Sequence, residues 1–302
     1  MVRTRDAALF AVLGLCWGGT FPAVEVALNA VKPVLLGALR FDVGAVVALG
    51  YVLVALDDPL PRTRDDGWAV LVGATLLVSV NAAFLFVGQR YTTGGVASIV
   101  YSLNPILTTA FAGLLLADEG LDARGYVGVL LGVAGVAVVA NPSPSALAGE
   151  TTVGVALVFV AAVSVSLGGV LTRRLNPSAP ALTRTAWAMA VGAVQLHVAS
   201  ALLGEPVPAA AAFTPRVVAA LLFMGVFASA VAYGCYFTLL DSVGAFETNL
   251  VSYVVPVVAT VLGAALLEEP VTPLTVAGFL LVVAGFTLLK RRALARLVGG
   301  YA

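Results

Sequence analysis

The chain has 302 residues, 61% of them hydrophobic and 11% charged, with a mean hydropathy of +1.05 and no formal net charge. Soluble domains carry roughly 25% charged residues, so a water-soluble globule is excluded. Without an excess of positive charge, nothing points to nucleic acid as a partner.

Apolar runs near 20 residues recur along the whole chain, the length that a hydrocarbon slab about 30 Å thick demands of a helix. The first, 7–28, follows Arg3 and Arg5. It is too long for a signal-peptide core, contains Trp17, Pro22 and Glu25, and is followed by no clear small-x-small cleavage site. It is read as a membrane helix. Further runs fall at 34–56, 67–88, 94–116, 125–140, 152–172, 181–203, 216–238, 245–267 and 273–290. The longest loops, 57–66, 141–151 and 204–215, are rich in Pro, Asp, Ser or Ala and leave no room for a soluble domain. The expected fold is an all-α polytopic membrane protein of ten transmembrane helices. Barrel strands would alternate apolar and polar residues, and these runs do not.

Placing the N-terminus in the cytoplasm puts Arg3, Arg5, Arg62, Arg64, Arg124, Arg173, Arg174, Lys290, Arg291, Arg292 and Arg296 in inner segments. Outer loops then hold only Lys32, Arg90 and Arg216. The bias follows the positive-inside rule, and an even helix count places both termini inside, in a multi-pass protein of the cell membrane.

The second half repeats the first. Pro105 and Pro256 are 151 positions apart; Glu119 and Glu269, Gly128 and Gly278, and Gly135 and Gly285 are each 150 apart. Gly18 and Gly19 recur as Gly168 and Gly169, while Pro33 with Pro177 and Arg40 with Arg184 recur at 144. The expected domains are a first five-helix repeat at 1–140, a second at 152–290, and a cytoplasmic tail at 291–302. Five crossings per half invert the second repeat, the arrangement from which many secondary transporters are built.

Pro105, beside Asn104, and Pro256 each remove a helical hydrogen bond. Helix breaks at matching positions point to a binding site at mid-membrane; a static kink is the alternative. Glu25 and Arg40 lie at similar depth on successive helices, and pairing would offset the cost of two membrane charges. Arg184 and Glu247 would form the inner counterpart, with snorkelling to the interface as the competing reading. Trp17, Asn81, Tyr101, Asn104, Tyr233 and Tyr253 are the residues expected to line a cavity, with helix packing as the alternative. Tyr51, Trp68 and Tyr91 suit the aromatic belts.

Other polar residues call for no chemistry. His197, the lone histidine, reads as a packed or interface residue in preference to a proton relay. Asp118, Glu119, Glu268 and Glu269 sit at span ends. Asp57, Asp58, Asp65 and Asp66 read as a solvated loop. Gly14 and Gly18, and Gly128 and Gly132, give GxxxG spacing for close helix packing. Cys16 and Cys235 lie in apolar runs as small buried residues. Walker, HExxH and GxSxG motifs are missing. No enzyme activity, metal or cofactor is expected.

The run Leu15-Cys16-Trp17-Gly18-Gly19-Thr20-Phe21 resembles the opening of EamA-type proteins of the drug/metabolite transporter superfamily. Leu39-Arg40-Phe41, Asn104-Pro105-Ile106 and the stretch from Leu114 to Glu119 followed by Gly128 and Gly135 are similar to later parts of that family, and Val255 to Gly285 matches again. The resemblance implies ten helices, cytoplasmic termini, a cavity between the repeats, and ATP-independent movement of small metabolites, often amino acids. Many members carry a Lys near the position of Glu25, so no substrate is carried over. The expected function is secondary transport of a small metabolite by alternating access, with export favoured. A proton or another ion could couple it, with Glu25 and Glu247 as candidate proton carriers. The alternatives are a uniporter or exchanger and, further off, an intramembrane enzyme.

Overall fold

Lipid offers the backbone no hydrogen-bond partner, so each apolar run must bond within itself as a helix. The computed structural model describes residues 4–116, 123–140 and 149–291. These form α1 (Thr4–Leu28), α2 (Pro33–Ala55), α3 (Arg64–Gln89), α4 (Gly94–Leu115), α5 (Ala123–Ala140), α6 (Glu150–Arg174), α7 (Ala181–Leu202), α8 (Pro215–Val243), α9 (Ala245–Leu267) and α10 (Pro273–Leu289). Nine are long and apolar enough to cross a membrane, and α10 is an apolar helix of 17 residues. The side chains of Thr63, Thr93, Thr214 and Thr272 cap α3, α4, α8 and α10, each accepting a bond from a first-turn N–H. Asp118 and Glu119, and all of the expected tail but Arg291, lie outside the described residues.

The two halves interleave. Helix α1 packs on α8 and α9, and α6 packs on α3 and α4; α2 packs on α7 and α8, and α7 on α2 and α3. The remaining main partners are α4 with α9 and α5 with α10. Exchanging each helix for the one five places away leaves this set of partners unchanged, as a two-fold relation between halves requires. Five crossings then give the halves opposite directions through the membrane.

The duplicated glycines meet across that relation. A Cβ added to Gly128 would lie 2.6 Å from the Gly285 carbonyl oxygen, and one added to Gly135 would lie 2.6 Å from that of Gly278. The α5 and α10 backbones therefore touch where only glycine fits. Helix α1 approaches α9 in the same way: a Cβ on Gly18 would fall 2.5 Å from Val258 Cβ. Large apolar side chains such as Val46, Val54, Leu114, Leu130 and Leu280 point outward, as a lipid-facing surface demands.

The helix interruptions correct two expectations. Helix α4 pauses at Ser102 and Leu103, and Pro105 opens the next segment, Asn104–Leu115, where no N–H is needed. Pro256 does not break α9: the helix continues through it, and the interruption falls earlier, at Leu250. Pro256 cannot donate to the Ser252 carbonyl one turn back, but packing holds the helix around that gap. The match of Arg40 with Arg184 is also out of register. Gly44 on α2 lies against Gly225 and Ser229 of α8, as Gly192 on α7 lies against Ala74 and Val78 of α3. That sets a spacing of 148 and makes Ala188, not Arg184, the counterpart of Arg40.

Two π-helical segments occupy matching places, Gly73–Val80 in α3 and Phe223–Val231 in α8. Near the end of each a serine turns back to a carbonyl five residues earlier. Ser79 Oγ lies 2.8 Å from the Ala74 oxygen, and Ser229 Oγ 2.9 Å from the Met224 oxygen. Such bulges widen a helix locally and frequently mark functional sites.

The α5–α10 contact predicts a sharp contrast in stability. Gly135→Val or Gly278→Val should cost about 2 kcal/mol or more, because backbone on both sides leaves no room to relax. Gly50→Val meets nothing within 4 Å and should be nearly neutral. Thermal unfolding of the purified variants in detergent checks this; equal melting temperatures for all three would contradict it.

Candidate functional site

Two adjoining cavities occupy the bundle. The larger, about 600 Å³, is walled by the starts of α3, α7 and α9 and by the ends of α4, α6 and α10. All of these lie at one end of the bundle, so this vestibule opens there. The smaller chamber, about 160 Å³, reaches deeper to Arg40, Asn81, Leu85, Ser98 and Tyr101. Trp17, Asn104, Tyr233 and Ser252 line both.

Five of the six expected cavity residues come together here. Trp17 lies 6.0 Å from Tyr233, ring centre to ring centre and edge-on, and 5.5 Å from Tyr236. The Tyr101 hydroxyl donates to Asn81 Oδ1 at 3.1 Å, while Asn81 Nδ2 donates to the Leu77 carbonyl at 3.2 Å. Ser166 Oγ donates to Asn104 Oδ1 at 3.1 Å, tying the interruption in α4 to α6. Tyr253 is the exception. Its ring packs 4.6 Å from that of Phe286, and its buried hydroxyl has no hydrogen-bond partner among the described residues. It belongs to the wall between α9 and α10, not to either cavity lining.

Neither expected ion pair forms. Helices α1 and α2 barely touch, because each packs on the other half. Arg40 therefore faces α8, where its Nε donates to Ser229 Oγ at 3.4 Å. Its guanidinium carbon lies 5.0 Å from the Phe41 ring centre and 5.8 Å from that of Phe86. Glu25 instead faces Glu269: their carboxyls are within hydrogen-bonding reach, and one Glu25 oxygen is buried without a donor. Arg184 lines the vestibule, with a buried Nε that lacks a hydrogen-bond partner among the described residues. Glu247 lies in the first turn of α9, and no pair between it and Arg184 occurs among the described residues.

Carboxylates close the end opposite the vestibule. Glu269 accepts from Gly94 N at 2.7 Å and Gly95 N at 3.2 Å, holding the α4 start to the end of α9. Glu205 accepts from Val34 N at 3.2 Å, Leu35 N at 2.7 Å and Ser200 Oγ at 2.8 Å, holding the start of α2. Charge and orphan N–H groups both favour an anion at a helix N-terminus. The loop reading of the first acidic group holds for Asp58, which pairs with Arg62 on the surface. Asp66 departs from it: only 1% exposed, it caps Thr63 and accepts from Ala179 N at 2.8 Å, fastening α3 to the approach of α7.

Sequence reasoning missed Tyr236, Phe237, Asp42 and the two bulge serines. Tyr236 and Phe237 follow Tyr233 on α8 and line the vestibule, an aromatic cluster legible in the sequence itself. Asp42 on α2 binds His197 of α7 at 2.8 Å, and both are 43% exposed. The two partly offset each other's cost on the lipid side. Cys16 and Cys235 are free and buried. No group of metal-ligating side chains occurs among the described residues.

Comparison with known proteins agrees with this architecture. The EamA-like transporter family matches residues 6–141 and again 152–291. The uncharacterized transporter YvbV of Bacillus subtilis (strain 168) is 29% identical over 97% of this chain and 94% of its own. An uncharacterized transporter of Archaeoglobus fulgidus is 28% identical over 91% and 95%. The uncharacterized inner membrane transporter YedA of Escherichia coli (strain K12) is 27% identical over 86% and 81%. A solved crystal structure superposes with a TM-score of 0.66 at 22% identity, covering 96% of this chain and 99% of that one, a likeness of fold. With two matches that together span nearly its whole length, the chain belongs to the EamA-like transporter family, as a multi-pass membrane transporter and not an enzyme.

Proposed function

We propose that the protein is a secondary transporter that carries a small organic metabolite across the cell membrane by alternating access. Its repeats, 1–140 and 152–290, rock about the chamber between them. The observation that carries this reading is a pair of adjoining cavities whose lining runs from the helix ends on one side of the bundle to Arg40 and Tyr101. Beyond them, carboxylates of the second half grip helix starts of the first. Such contacts can form and part as a unit, which a fixed pore would not need.

The vestibule mouth carries Arg173, Arg184 and Lys290. The positive-inside rule makes that end cytoplasmic, with both termini on the same side. The conformation is then open inward, and export is kept as the proposed direction, which the gradients of solute and ion would set. Glu25, beside Glu269, and Glu247, at the other end, are the proposed carboxyls for coupling to a proton or another ion.

Two experiments test this reading. In a chain whose two cysteines are replaced by alanine, Thr185→Cys in the vestibule should react with a membrane-impermeant thiol reagent in inside-out vesicles and stay protected in right-side-out ones. Labelling only from the outer face would overturn the orientation. Glu269→Gln removes the charge from two hydrogen bonds, each worth about 1.5–3 kcal/mol when charged. It should raise labelling of Thr92→Cys from the outer face by about tenfold or more. Unchanged labelling would mean that Glu269 does not hold the outer end shut.

A further inference from the structure

The chamber has an unbalanced charge. Four cations line the two cavities, namely Arg40, Arg173, Arg184 and Lys290, and among the described residues no carboxylate does. Arg173 and Lys290 make other interactions near the mouth. Arg40 differs, because it lies deepest. Among the described residues its hydrogen bond is the long one from Nε to Ser229, and no carboxylate lies within ion-pair distance. Phe41 and Phe86 offer their rings to the guanidinium but neutralise nothing. An unmatched charge at this depth is costly and calls for a partner.

Two neighbouring polar groups are already engaged: Tyr101 and Asn81 bond to each other, and Asn81 also bonds to Leu77. Arg40 therefore has donors to spare where these two do not. The asymmetry points the same way. Its counterpart by the two-fold relation is Ala188, so the fold does not need a cation at that place. Beside it, Trp17, Tyr233 and Tyr236 form an apolar wall at ring-contact distances.

We infer that the transported solute is an organic anion whose carboxylate or similar head sits on Arg40 and whose flat apolar body lies against Trp17 and Tyr233. This rests on the transport reading above and names its substrate class. A guanidinium presents a planar fork of donors that matches a carboxylate. A cationic solute in the inner chamber would meet the Arg40 charge, and among the described residues no carboxylate lines that chamber. A zwitterion would place its ammonium in the same surroundings. The chamber of about 160 Å³ suits the head and one ring, and the vestibule leaves room for a longer tail.

A matched trio of probes tests this: phenylacetate, phenylacetamide and phenethylamine, which share one body and differ in head charge. Affinity for the full-length protein in detergent is read from ligand-induced shifts in melting temperature, and flux from counterflow in proteoliposomes. Phenylacetate should bind most tightly. Arg40→Gln should weaken it about tenfold or more while leaving phenylacetamide within about twofold. Retained phenylacetamide binding shows that the variant is folded, and Arg40→Lys should recover part of the loss. A preference for the amine or the amide, or equal phenylacetate affinity in wild type and Arg40→Gln, overturns the assignment. So does an absence of any Arg40-dependent anion binding. Flux of the amine or amide alone would sink the anion proposal and leave transport standing. Arg40-dependent binding of phenylacetate without flux of any probe would sink the transport reading and leave the anion site.

Discussion

In hydrocarbon, every backbone N–H and C=O must find a partner inside the protein. That constraint shapes the bundle. It turns each apolar run into a helix, and it makes each helix start and each interruption a place that something else must satisfy. Threonine caps serve four of the starts. Carboxylates add to these and reach across the halves: Glu269 to the start of α4, Glu205 to that of α2, and Asp66 to the approach of α7. The interruption in α4 and the first π segment adjoin the cavities, where irregular backbone is tolerated, and the second π segment meets Arg40 through Ser229. What satisfies the backbone also joins the repeats, and it sits where a change between open and closed ends would have to act.

Symmetry and its violations divide the residues by role. Where the two copies agree, as in Gly128 with Gly285, Gly135 with Gly278, and Ser79 with Ser229, packing accounts for the residue. Where they disagree, packing does not. Arg40 faces Ala188 across the two-fold relation, and Glu25 turns toward Glu269. The duplicated scaffold does not require the Arg40 charge, which is why the proposed solute head is placed there. The aromatic wall of Trp17, Tyr233 and Tyr236 stands beside the first of these charges.

Much of this was legible in the sequence, for identifiable reasons. Span number and order follow from apolar length alone, and the 150-residue spacing of glycines anticipates the α5–α10 contact. Trp17 and Asn81 stand out because mid-membrane polar or amphipathic residues need a partner or water. Other features leave no such trace. The π segments change hydrogen bonding without changing composition. Glu269 looked like a solvated span end, yet Glu268 adopts φ 57° and folds the chain back over Gly263, bringing Glu269 to Gly94. The Glu25–Arg40 pair failed because helices adjacent in sequence are not adjacent in this bundle. Pro256 failed as a break because surrounding packing can hold a helix through a missing bond.

The central claim is that two inverted copies of one bundle enclose a solute compartment whose ends open in turn. Pulsed electron-spin distances test it most directly, with labels replacing Arg90 and Val271 at the closed end and Asp65 and Asp241 at the vestibule end, all exposed positions. Saturating solute or a pH step should populate a second state in which the 90–271 distance grows while the 65–241 distance shrinks. Distances that stay fixed under every condition, or that grow together at both ends, would contradict the account.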